Sequence, residues 1–381
     1  MSDIKMFLYL FRKDRGIKCE DMAREMNITR GYLSSVENSK RPLTDSFYQK
    51  LMYAYSLTDI EHEYFSEIAK SEGIKSVFRI HDGYLESADI VSDTLYIPRS
   101  VRIVGARAFE NQTEIRSVHF HEGVEEVGMD AFSGCVNISK VFASSVSDFS
   151  KIVFSSHNSN PIAFSGNLYI NGEPLTELCI SDDTTEILRS SFDGLLSLKR
   201  IVLGKNVKSI APYAFRGCKN LLEIDFGDAP LESIGEYAFW ECSSLFSVNI
   251  PLSTRDIKSF AFGRCASLRE FQISKNIKSI SPYTFSECHL LESVVIENGV
   301  QAIHTFAFEE CSELERVVVP KSVKYIDAYA FANCGNLSEI EYKGSMNAWK
   351  RATKSTTLTS ENDYFSFYDI VCSDGIIKKT R

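Results

Sequence analysis

The sequence has 381 residues, 44% hydrophobic and 24% charged, with a formal net charge of −9 at pH 7. This length exceeds one ordinary hydrophobic core, and the composition is that of a globular rather than a disordered protein, so two or more folding units are expected. The first sixteen residues place charges on both sides of a short apolar run, a pattern that fits neither a secretory signal nor a membrane span. We therefore expect a cytoplasmic protein that does not contact membranes.

The ten cysteines contain no C-x-x-C pair, so the spacing of a metal knuckle is missing. In a reducing compartment we expect them to be buried free thiols. Charge is unevenly spread, because residues 1–57 carry ten Lys and Arg against seven Asp and Glu, whereas the rest of the chain is acidic. Only this first segment suits a polyanion.

Residues 4–57 have the periodicity of helices. Gly16 is expected to end a first helix, Glu20 lies at the start of a second, and Thr29 is a suitable N-cap for a third. Further helices are predicted at about 44–56 and 59–71. The apolar residues expected in the core of the first three helices are Ile4, Phe7, Leu8, Phe11, Met22, Ala23, Met26, Leu33 and Val36.

The segment from Glu20 to Pro42, EDMAREMNITRGYLSSVENSKRP, resembles the helix-turn-helix family of phage repressors of the xenobiotic-response-element type. The resemblance implies an all-α five-helix head over residues 1–75 that binds double-stranded DNA with one helix in the major groove. It also makes a homodimer possible. Arg30 would contact guanine, while Asn38, Lys40 and Arg41 would contact phosphates. The full implied DNA-binding set is Thr29, Arg30, Gly31, Tyr32, Ser34, Ser35, Asn38, Lys40 and Arg41.

Three features of the head weigh against DNA binding. Cys19 stands where the family often has a glutamine that braces the DNA backbone, and Gly31 has no side chain with which to read bases. Residues 1–75 also carry twelve basic and twelve acidic side chains. The alternative is a helical module for protein interaction or dimerisation.

From residue 95 onward the sequence is repetitive. Each copy combines Ala-Phe, or a near relative, with an L-x-x-h-x-h run whose alternation suits a short strand with one buried face, and seven of the nine copies have a cysteine three residues after the phenylalanine. Since 23 residues cannot bury these groups alone, successive copies must stack into a solenoid. The phenylalanines are Phe109, Phe132, Phe192, Phe215, Phe239, Phe262, Phe285, Phe308 and Phe331, and the cysteines are Cys135, Cys218, Cys242, Cys265, Cys288, Cys311 and Cys334.

The pattern resembles the BspA-type leucine-rich repeats, whose members are commonly surface adhesins. It implies a multidomain chain in which a β-rich leucine-rich-repeat solenoid, a right-handed horseshoe of 23-residue repeats, follows the helical head. We place a linker or N-terminal cap at 76–94, the solenoid at 95–343 and a hairpin cap at 344–381. The cysteines are interpreted as stacked interior side chains; a redox or metal array is the alternative.

An irregular insert at 146–174 interrupts the repeats, and its layout recurs in the C-terminal cap. Asn171-Gly172 and Asp374-Gly375 are typical two-residue hairpin turns between apolar runs. The sequence therefore predicts two copies of a second module, one inserted and one ending the solenoid.

The third and fifth residues of each L-x-x-h-x-h run are expected to project from the concave sheet and to bind a protein or peptide. His119 and His121, two apart on one strand, are interpreted as part of an exposed polar strip; a two-histidine metal site is the alternative. The predicted partner-binding residues are His119, Lys140, Phe142, Arg200, Val202, Glu223, Asp225, Asn249, Glu270, Gln272, Val295, Arg316, Val318 and Glu339, beside Ser117, Ser247, Ser293 and Glu341.

No catalytic motif is present, and neither an enzyme nor a cofactor is expected. The favoured function is a sequence-specific DNA-binding regulator whose solenoid recognises a partner. The alternatives are an interaction scaffold that does not bind DNA and a surface adhesin.

Overall fold

Five α-helices open the chain in the computed structural model, which describes residues 3–327, 329–353 and 367–379. All nine apolar residues predicted for the core of the first three helices are buried, which confirms their amphipathic periodicity. Gly16 ends the first helix with φ +65°, a conformation that glycine adopts without strain. The helices are α1 (Asp3–Asp14), α2 (Cys19–Glu25), α3 (Arg30–Glu37), α4 (Asp45–Ala54) and α5 (Asp59–Ser71).

Threonines set the starts of three of these helices. As predicted, the Thr29 side chain caps α3 by accepting a hydrogen bond from the backbone N–H of Tyr32. Thr44 caps α4 in the same way, and Thr58 forms a reciprocal capping box with Glu61 at the start of α5. Each cap satisfies a backbone donor that the first helical turn leaves unpaired.

A β-hairpin follows the helices in the segment predicted as a linker or N-terminal cap. Strands β1 (Val77–His81) and β2 (Tyr84–Asp89) pair antiparallel, and β2 then pairs parallel with β4 (Ile103–Val104) of the first coil. Most of residues 76–94 therefore cap the solenoid and are not an extended linker.

The first solenoid segment carries two parallel ladders. One joins β3 (Thr94–Tyr96), β5 (Ser117–His119), β7 (Lys140–Ala143) and β9 (Leu168–Ile170). The other joins β2 and β4 to β6 (Glu126–Val127) and β8 (Val153–Phe154). Successive coils thus stack in register, as the repeat predicted.

The insert continues both ladders while replacing the Ala-Phe wall with short helices. These are α6 (Val146–Phe149), a 3₁₀ turn at His157–Ser159, and α7 (Ile162–Ser165). The Asn171-Gly172 turn then reverses the chain, so that β10 (Glu173–Pro174) pairs antiparallel with β9. This confirms the predicted hairpin, which ends the ladder of β3, β5, β7 and β9.

The chain divides into two compact units, Met1–Pro174 and Leu175–Arg381, called here the first and the second unit. In the second unit the ladder strands of the L-x-x-h-x-h runs are β11 (Glu177–Cys179), β13 (Arg200–Val202), β15 (Glu223–Asp225), β18 (Glu270–Ile273), β20 (Ser293–Ile296), β22 (Arg316–Val319) and β24 (Glu339–Tyr342). The two-residue strands between them are β12 (Glu186–Ile187), β14 (Ser209–Ile210), β16 (Ser233–Ile234), β17 (Asp256–Ile257), β19 (Ser279–Ile280), β21 (Ala302–Ile303) and β23 (Tyr325–Ile326).

The second unit ends on the same module as the insert. Helix α8 (Met346–Thr353) buries Trp349 against Tyr342, after which β25 (Asp369–Cys372) extends the ladder and pairs antiparallel with β26 (Gly375–Ile377). The turn consists of Ser373 and Asp374, one residue earlier than predicted, because Cys372 pairs with Gly375. Residues 354–366 and 380–381 of the predicted cap lie outside the described residues.

Two columns of side chains fill the interior of the second unit. Seven phenylalanines from Phe192 to Phe331 stack with ring centroids 5.3–5.9 Å apart and interplanar angles of 3–9°. Beside them each ladder cysteine is buried and free, and its thiol donates to the carbonyl of the preceding coil's phenylalanine, as Cys218 does to Phe192 at 3.2 Å.

The thiol column confirms the interpretation of the repeat cysteines as interior side chains. The expectation that all ten cysteines are buried is wrong, because Cys179 is exposed and Cys19 is partly exposed. Burial raises the pKa of the Cys135 thiol to about 11 and that of Cys288 to about 12, so both stay protonated and remain donors. A protonated buried thiol is a poor nucleophile and a poor metal ligand.

In the first unit, α4 of the head packs directly on the first coils, on the side formed by the ladder of the L-x-x-h-x-h runs. Gln49, completely buried, donates to Ser92 Oγ (2.7 Å) and accepts from the backbone N–H of Tyr96 (3.1 Å). The backbone carbonyl of Met52 accepts from Arg99, and the Tyr53 hydroxyl donates to the carbonyl of residue 120. The head and the first coils are therefore one packed structure.

An aromatic stack continues this contact along the ladder. Tyr96, His119, Phe142 and Tyr169 stack in order at centroid distances of 4.4, 4.3 and 5.0 Å, and Tyr53 packs 5.2 Å from Tyr96 and edge-on to His119. Burial, reinforced by Lys50, lowers the pKa of His119 to about 4. The imidazole is therefore neutral at physiological pH.

We expect Phe262→Ala to lower the free energy of unfolding of the second unit by about 3–5 kcal/mol, because it empties a fully buried site between Phe239 and Phe285. Urea denaturation followed by tryptophan fluorescence measures it. Phe246→Ala is the control, since this side chain is 49% exposed and its loss should cost less than about 1 kcal/mol. Equal losses would contradict the column as the core.

Acidification from pH 7 to pH 4.5 should destabilise the first unit in part through His119. The unfolded chain protonates this residue near pH 6.5 while the folded chain does not, so stability present above about pH 6.5 is lost as pH falls, by up to about 3 kcal/mol. His119→Phe, which keeps the stack, should flatten this dependence in thermal unfolding followed by helical circular dichroism.

His119→Gln is the matched variant for this prediction, because it removes both the titrating nitrogen and the ring. It should flatten the pH dependence as well, but it should also lower stability at pH 7.5. An unchanged pH dependence in both variants would show that His119 does not contribute.

Candidate interaction surfaces

The strip is defined here as the third and fifth residues of the L-x-x-h-x-h runs. In the first unit Lys140 is exposed, and its ammonium lies 5.8 Å from the ring centroid of Tyr169. His119 and Phe142 are only partly exposed within the aromatic stack, and Tyr53 of the head covers His119. Part of this end of the strip is therefore already covered by Tyr53 of the same chain, a contact that the sequence did not predict.

The interpretation of His119 and His121 as an exposed polar strip is wrong. His121 lies beyond the end of β5 and is 4% exposed. Its Nε2 lies 3.0 Å from the carbonyl of Pro98, and its Nδ1 accepts from the backbone N–H of Gly123 at 3.0 Å. His121 is thus a hydrogen-bonded core residue, and both of its ring nitrogens already have backbone partners.

In the second unit the parallel register arranges the strip into two rows. At the third positions, Arg200 lies beside Glu223. Further along the unit, these positions form a row in the order Glu270, Ser293, Arg316 and Glu339. At the fifth positions, Val202 lies beside Asp225. The corresponding row further along runs in the order Gln272, Val295, Val318 and Glu341. Every predicted strip residue of this unit is exposed or partly exposed, and Val295 is 56% exposed.

Acidic groups dominate these rows and neutralise the cations within them. Arg200 forms ion pairs with Glu177 and Glu223, and its guanidinium also lies 3.1 Å from Asp225. Arg316 pairs with Glu341, whose pKa is held below its ordinary value by Lys343 and by Arg316. The strip therefore presents ionised carboxylates and few available positive charges.

The ladder of the strip is interrupted in the middle of the second unit. Residues 247–250 lie where the repeat predicts a strand, yet the sheet ends at β15 and a new one begins at β18. A pocket of about 140 Å³ opens at this interruption, and strip residues from three consecutive runs converge on it. They are Ser247, Asn249, Glu270, Gln272, Ser293 and Val295.

A second surface is presented by α3 of the head. Arg30 and Gly31 are exposed in its first turn, and Asn38, Lys40 and Arg41 are exposed after its last. Thr29 is exposed as well, whereas Tyr32, Ser34 and Ser35 are partly exposed. The nine residues of the predicted DNA-binding set thus lie on one helix and its two ends.

Several of these side chains already have partners in the head. The Ser35 hydroxyl donates to the Gly31 carbonyl (2.7 Å), and the Asn38 amide donates to the Ser34 carbonyl (2.8 Å). The Arg41 guanidinium lies 5.6 Å from the centroid of the Tyr32 ring, and the hydroxyl oxygens of Tyr32 and Thr44 are 3.3 Å apart.

Arg30 is paired with a carboxylate of the preceding helix. Its guanidinium donates to Glu20 at 2.7 Å, although both side chains are about two-thirds exposed. An exposed pair of this kind contributes little stability and opens readily. Cys19, the position that departs from the resembling family, is the first residue of α2.

A third surface, missed by sequence reasoning, is an outer column of aromatic rings in the second unit. Its members stack at centroid distances of 4.4–5.0 Å and are partly exposed. Five of the six have φ between +56° and +63°, which bulky residues rarely adopt. The signal was present in the sequence, because an aromatic residue precedes Ala-Phe or Thr-Phe in these copies: Tyr213, Tyr237, Phe260, Tyr283, Phe306 and Tyr329.

Across the described parts of the chain, no helix is both long enough and apolar enough to cross a bilayer.

Comparison with known proteins identifies the repeats. The family model described as "BspA type Leucine rich repeat region" matches in six copies over residues 79–173, 165–290 and 232–359. Among functionally characterised proteins, no match is found.

Solved structures similar to the chain include a leucine-rich cell surface protein of Faecalibacterium prausnitzii, 22% identical over 74% of this chain and 96% of that one, with a TM-score of 0.39. A leucine-rich repeat protein of T. pallidum is 29% identical over 44% and 74% of the two chains, with a TM-score of 0.36. The pneumococcal vaccine antigen PcpA is 18% identical over 72% of each, with a TM-score of 0.48. Since the matched family regions together cover residues 79–359, well over half of its length, the chain belongs to the BspA-type leucine-rich-repeat family.

Proposed function

We propose that the strip of the second unit binds a protein or peptide segment that carries apolar and cationic side chains, so that the protein is an interaction scaffold without catalysis or cofactor. The observation that carries this proposal is an exposed apolar line formed by Val295 and Val318, which are neighbours in the register of β20 and β22. Val295 is 56% exposed, and the carboxylate of Glu341 borders this line on the side of Val318. Exposed apolar groups bordered by polar ones are typical of binding surfaces.

Charge supports a cationic partner. Among the strip residues that the sequence predicts for this unit, five are carboxylates and two are guanidinium groups, and both guanidiniums are already paired with strip carboxylates. A phosphate backbone would be repelled by this surface, whereas Lys and Arg side chains would be attracted to it. The carboxylates are Glu223, Asp225, Glu270, Glu339 and Glu341, and the guanidiniums are Arg200 and Arg316.

The interruption at residues 247–250 supports the same partner. Here the pocket of about 140 Å³ is bordered by the carboxylate of Glu270 and by the side-chain amides of Asn249 and Gln272. Such a pocket has room for the end of one side chain, and its oxygen acceptors suit an ammonium or guanidinium donor.

A library of displayed peptides selected on the full chain should yield sequences enriched in Lys, Arg and aliphatic residues. The double variant Val295→Glu, Val318→Glu should weaken binding of the selected peptides at least about ten-fold, because it places charges in the apolar line. Fluorescence anisotropy measures the affinities.

Leu252→Glu is the matched control, because Leu252 is 66% exposed in the same unit and lies outside the strip. This variant should bind like the wild type. Selection of acidic peptides, or equal weakening by both substitutions, would contradict the strip as the binding surface.

The second candidate function is sequence-specific DNA binding by the head, with the protein acting as a regulator and binding paired half-sites as a homodimer. It is favoured by the exposure of Arg30 and Gly31 at the Thr29-capped start of α3 and of Lys40 just after its end. Arg30 would read a guanine edge, and Lys40 would contact phosphate.

The full chain should bind a pool of genomic duplexes at low salt with an affinity that falls steeply as salt rises. Arg30→Ala should relax base preference, and Lys40→Ala should weaken all sequences alike. Glu20→Gln should strengthen binding, because it removes the carboxylate that pairs with Arg30. Electrophoretic mobility shifts measure these effects.

Arg116→Ala, an exposed arginine outside the helices of the head, serves as the control for lost positive charge and should leave binding unchanged. The full chain is used because α4 packs on the first coils through Gln49 and Tyr53. Failure to retain any duplex at low salt would rule out this second function.

We propose the cytoplasm as the place of action, supported by ten free cysteines, six of which recur as a thiol column within the second unit. A surface adhesin is the competing possibility, and protease treatment of intact cells distinguishes the two.

A further inference from the structure

An open cleft of about 970 Å³ lies in the first unit between helix α5 and the hairpin of β1 and β2. Seven carboxylate and imidazole side chains line it: Glu63, Glu67 and Glu86, and a group of four made of Asp59 and His62 on α5 and His81 and Asp82 at the hairpin turn. These residues take no part in the strip or in the α3 surface.

Three of the four side chains come together at one point. His81 Nδ1 lies 3.6 Å from Asp59 Oδ2, and His81 Nε2 lies 3.3 Å from Asp82 Oδ2. One ligand atom from each residue lies within 4.8 Å of the other two. One ion can bind only one of the two His81 nitrogens, and two atoms that bind a tetrahedral Zn²⁺ at 2.0–2.1 Å are about 3.3 Å apart. Ligand atoms that now lie within 4.8 Å must therefore move closer, which these exposed side chains are free to do.

The fourth side chain is a buried histidine without a partner. His62 lies one turn after Asp59 on α5 and is 7% exposed, and in the described structure its Nε2 has no hydrogen-bond partner. Burial lowers the pKa of His62, which keeps the imidazole in the neutral form that ligates metals. An unpaired buried nitrogen is costly unless something binds it.

We propose that Asp59, His81, Asp82 and His62 form a binding site for a first-row transition-metal dication of the Zn²⁺ type. Imidazole nitrogens favour such an ion over Mg²⁺ and Ca²⁺, which prefer ligand sets made only of oxygen. Because the ligands come from α5 and from the hairpin that caps the solenoid, the bound ion joins the helical head to the first coil. By mass action it stabilises the first unit.

A second cluster in the chain provides an internal control. Glu287, His289 and Glu310 also place three ligand atoms within 4.8 Å of one another. There, however, Arg264 lies 3.0 Å from the Glu287 carboxylate, and His289 Nδ1 lies 3.0 Å from the backbone carbonyl of Glu310. No buried unpartnered histidine is found beside this cluster among the described residues.

The test is a calorimetric titration of the tag-free full chain with Zn²⁺, with Mg²⁺ and Ca²⁺ as comparison ions. We expect saturable 1:1 binding of Zn²⁺, a raised melting temperature for the helical signal, and no response to either comparison ion. His81→Ala, at a side chain 86% exposed, should weaken Zn²⁺ binding at least about ten-fold without affecting the fold.

His62→Gln tests the buried ligand, with circular dichroism confirming that the variant is folded, and it should also weaken Zn²⁺ binding. His289→Ala should bind Zn²⁺ like the wild type. The proposal is overturned if the wild type shows no saturable binding, if His81→Ala or a folded His62→Gln binds as tightly as the wild type, or if His289→Ala removes the binding.

Discussion

A 23-residue coil cannot bury its own apolar groups, and the rest of this structure depends on that constraint. Each coil completes its neighbour through three contacts: the ladder strands, the phenylalanine column, and the thiol that donates to the preceding coil's phenylalanine carbonyl, as Cys265 does to Phe239 at 3.3 Å. The thiol contact explains why cysteine serves better than alanine, since it fills the same space and satisfies a buried acceptor. Such a column can be extended by one coil after another, so a separate element is needed to end it.

Both units end their ladders with the same device. A short helix closes the interior, one more parallel strand is added, and a two-residue turn brings back an antiparallel strand, β10 in the first unit and β26 in the second. An antiparallel strand cannot be followed by another coil in the same register, so the parallel ladder stops there. The insert that looked like an interruption in the sequence therefore has the role of a cap, and the boundary between the compact units follows it directly.

Features with a local period could be predicted from sequence, while those created by long-range packing could not. The helix faces, the Thr29 cap, the interior cysteines and the hairpin at Asn171-Gly172 each follow from spacing within a few residues. The burial of Gln49 and the neutral state of His119 arise because α4 meets strands that lie about 45 to 70 residues away in sequence. His121 continues the alternation of its run, but the strand ends at His119, and this end is visible only in the fold.

Contact between α4 and the first coils fixes the orientation of the head within the first unit. A head joined by a linker would orient freely, whereas here Gln49, Met52 and Tyr53 fix α4 against the ladder of β3 and β5. The proposed DNA-binding residues lie on α3 and the strip contact lies on α4, so each surface uses a separate helix. Any ligand that competed with Tyr53 for the His119 stack would have to break a partly buried hydrogen bond, and would thereby couple the solenoid to the position of α3 through the packed helices of the head.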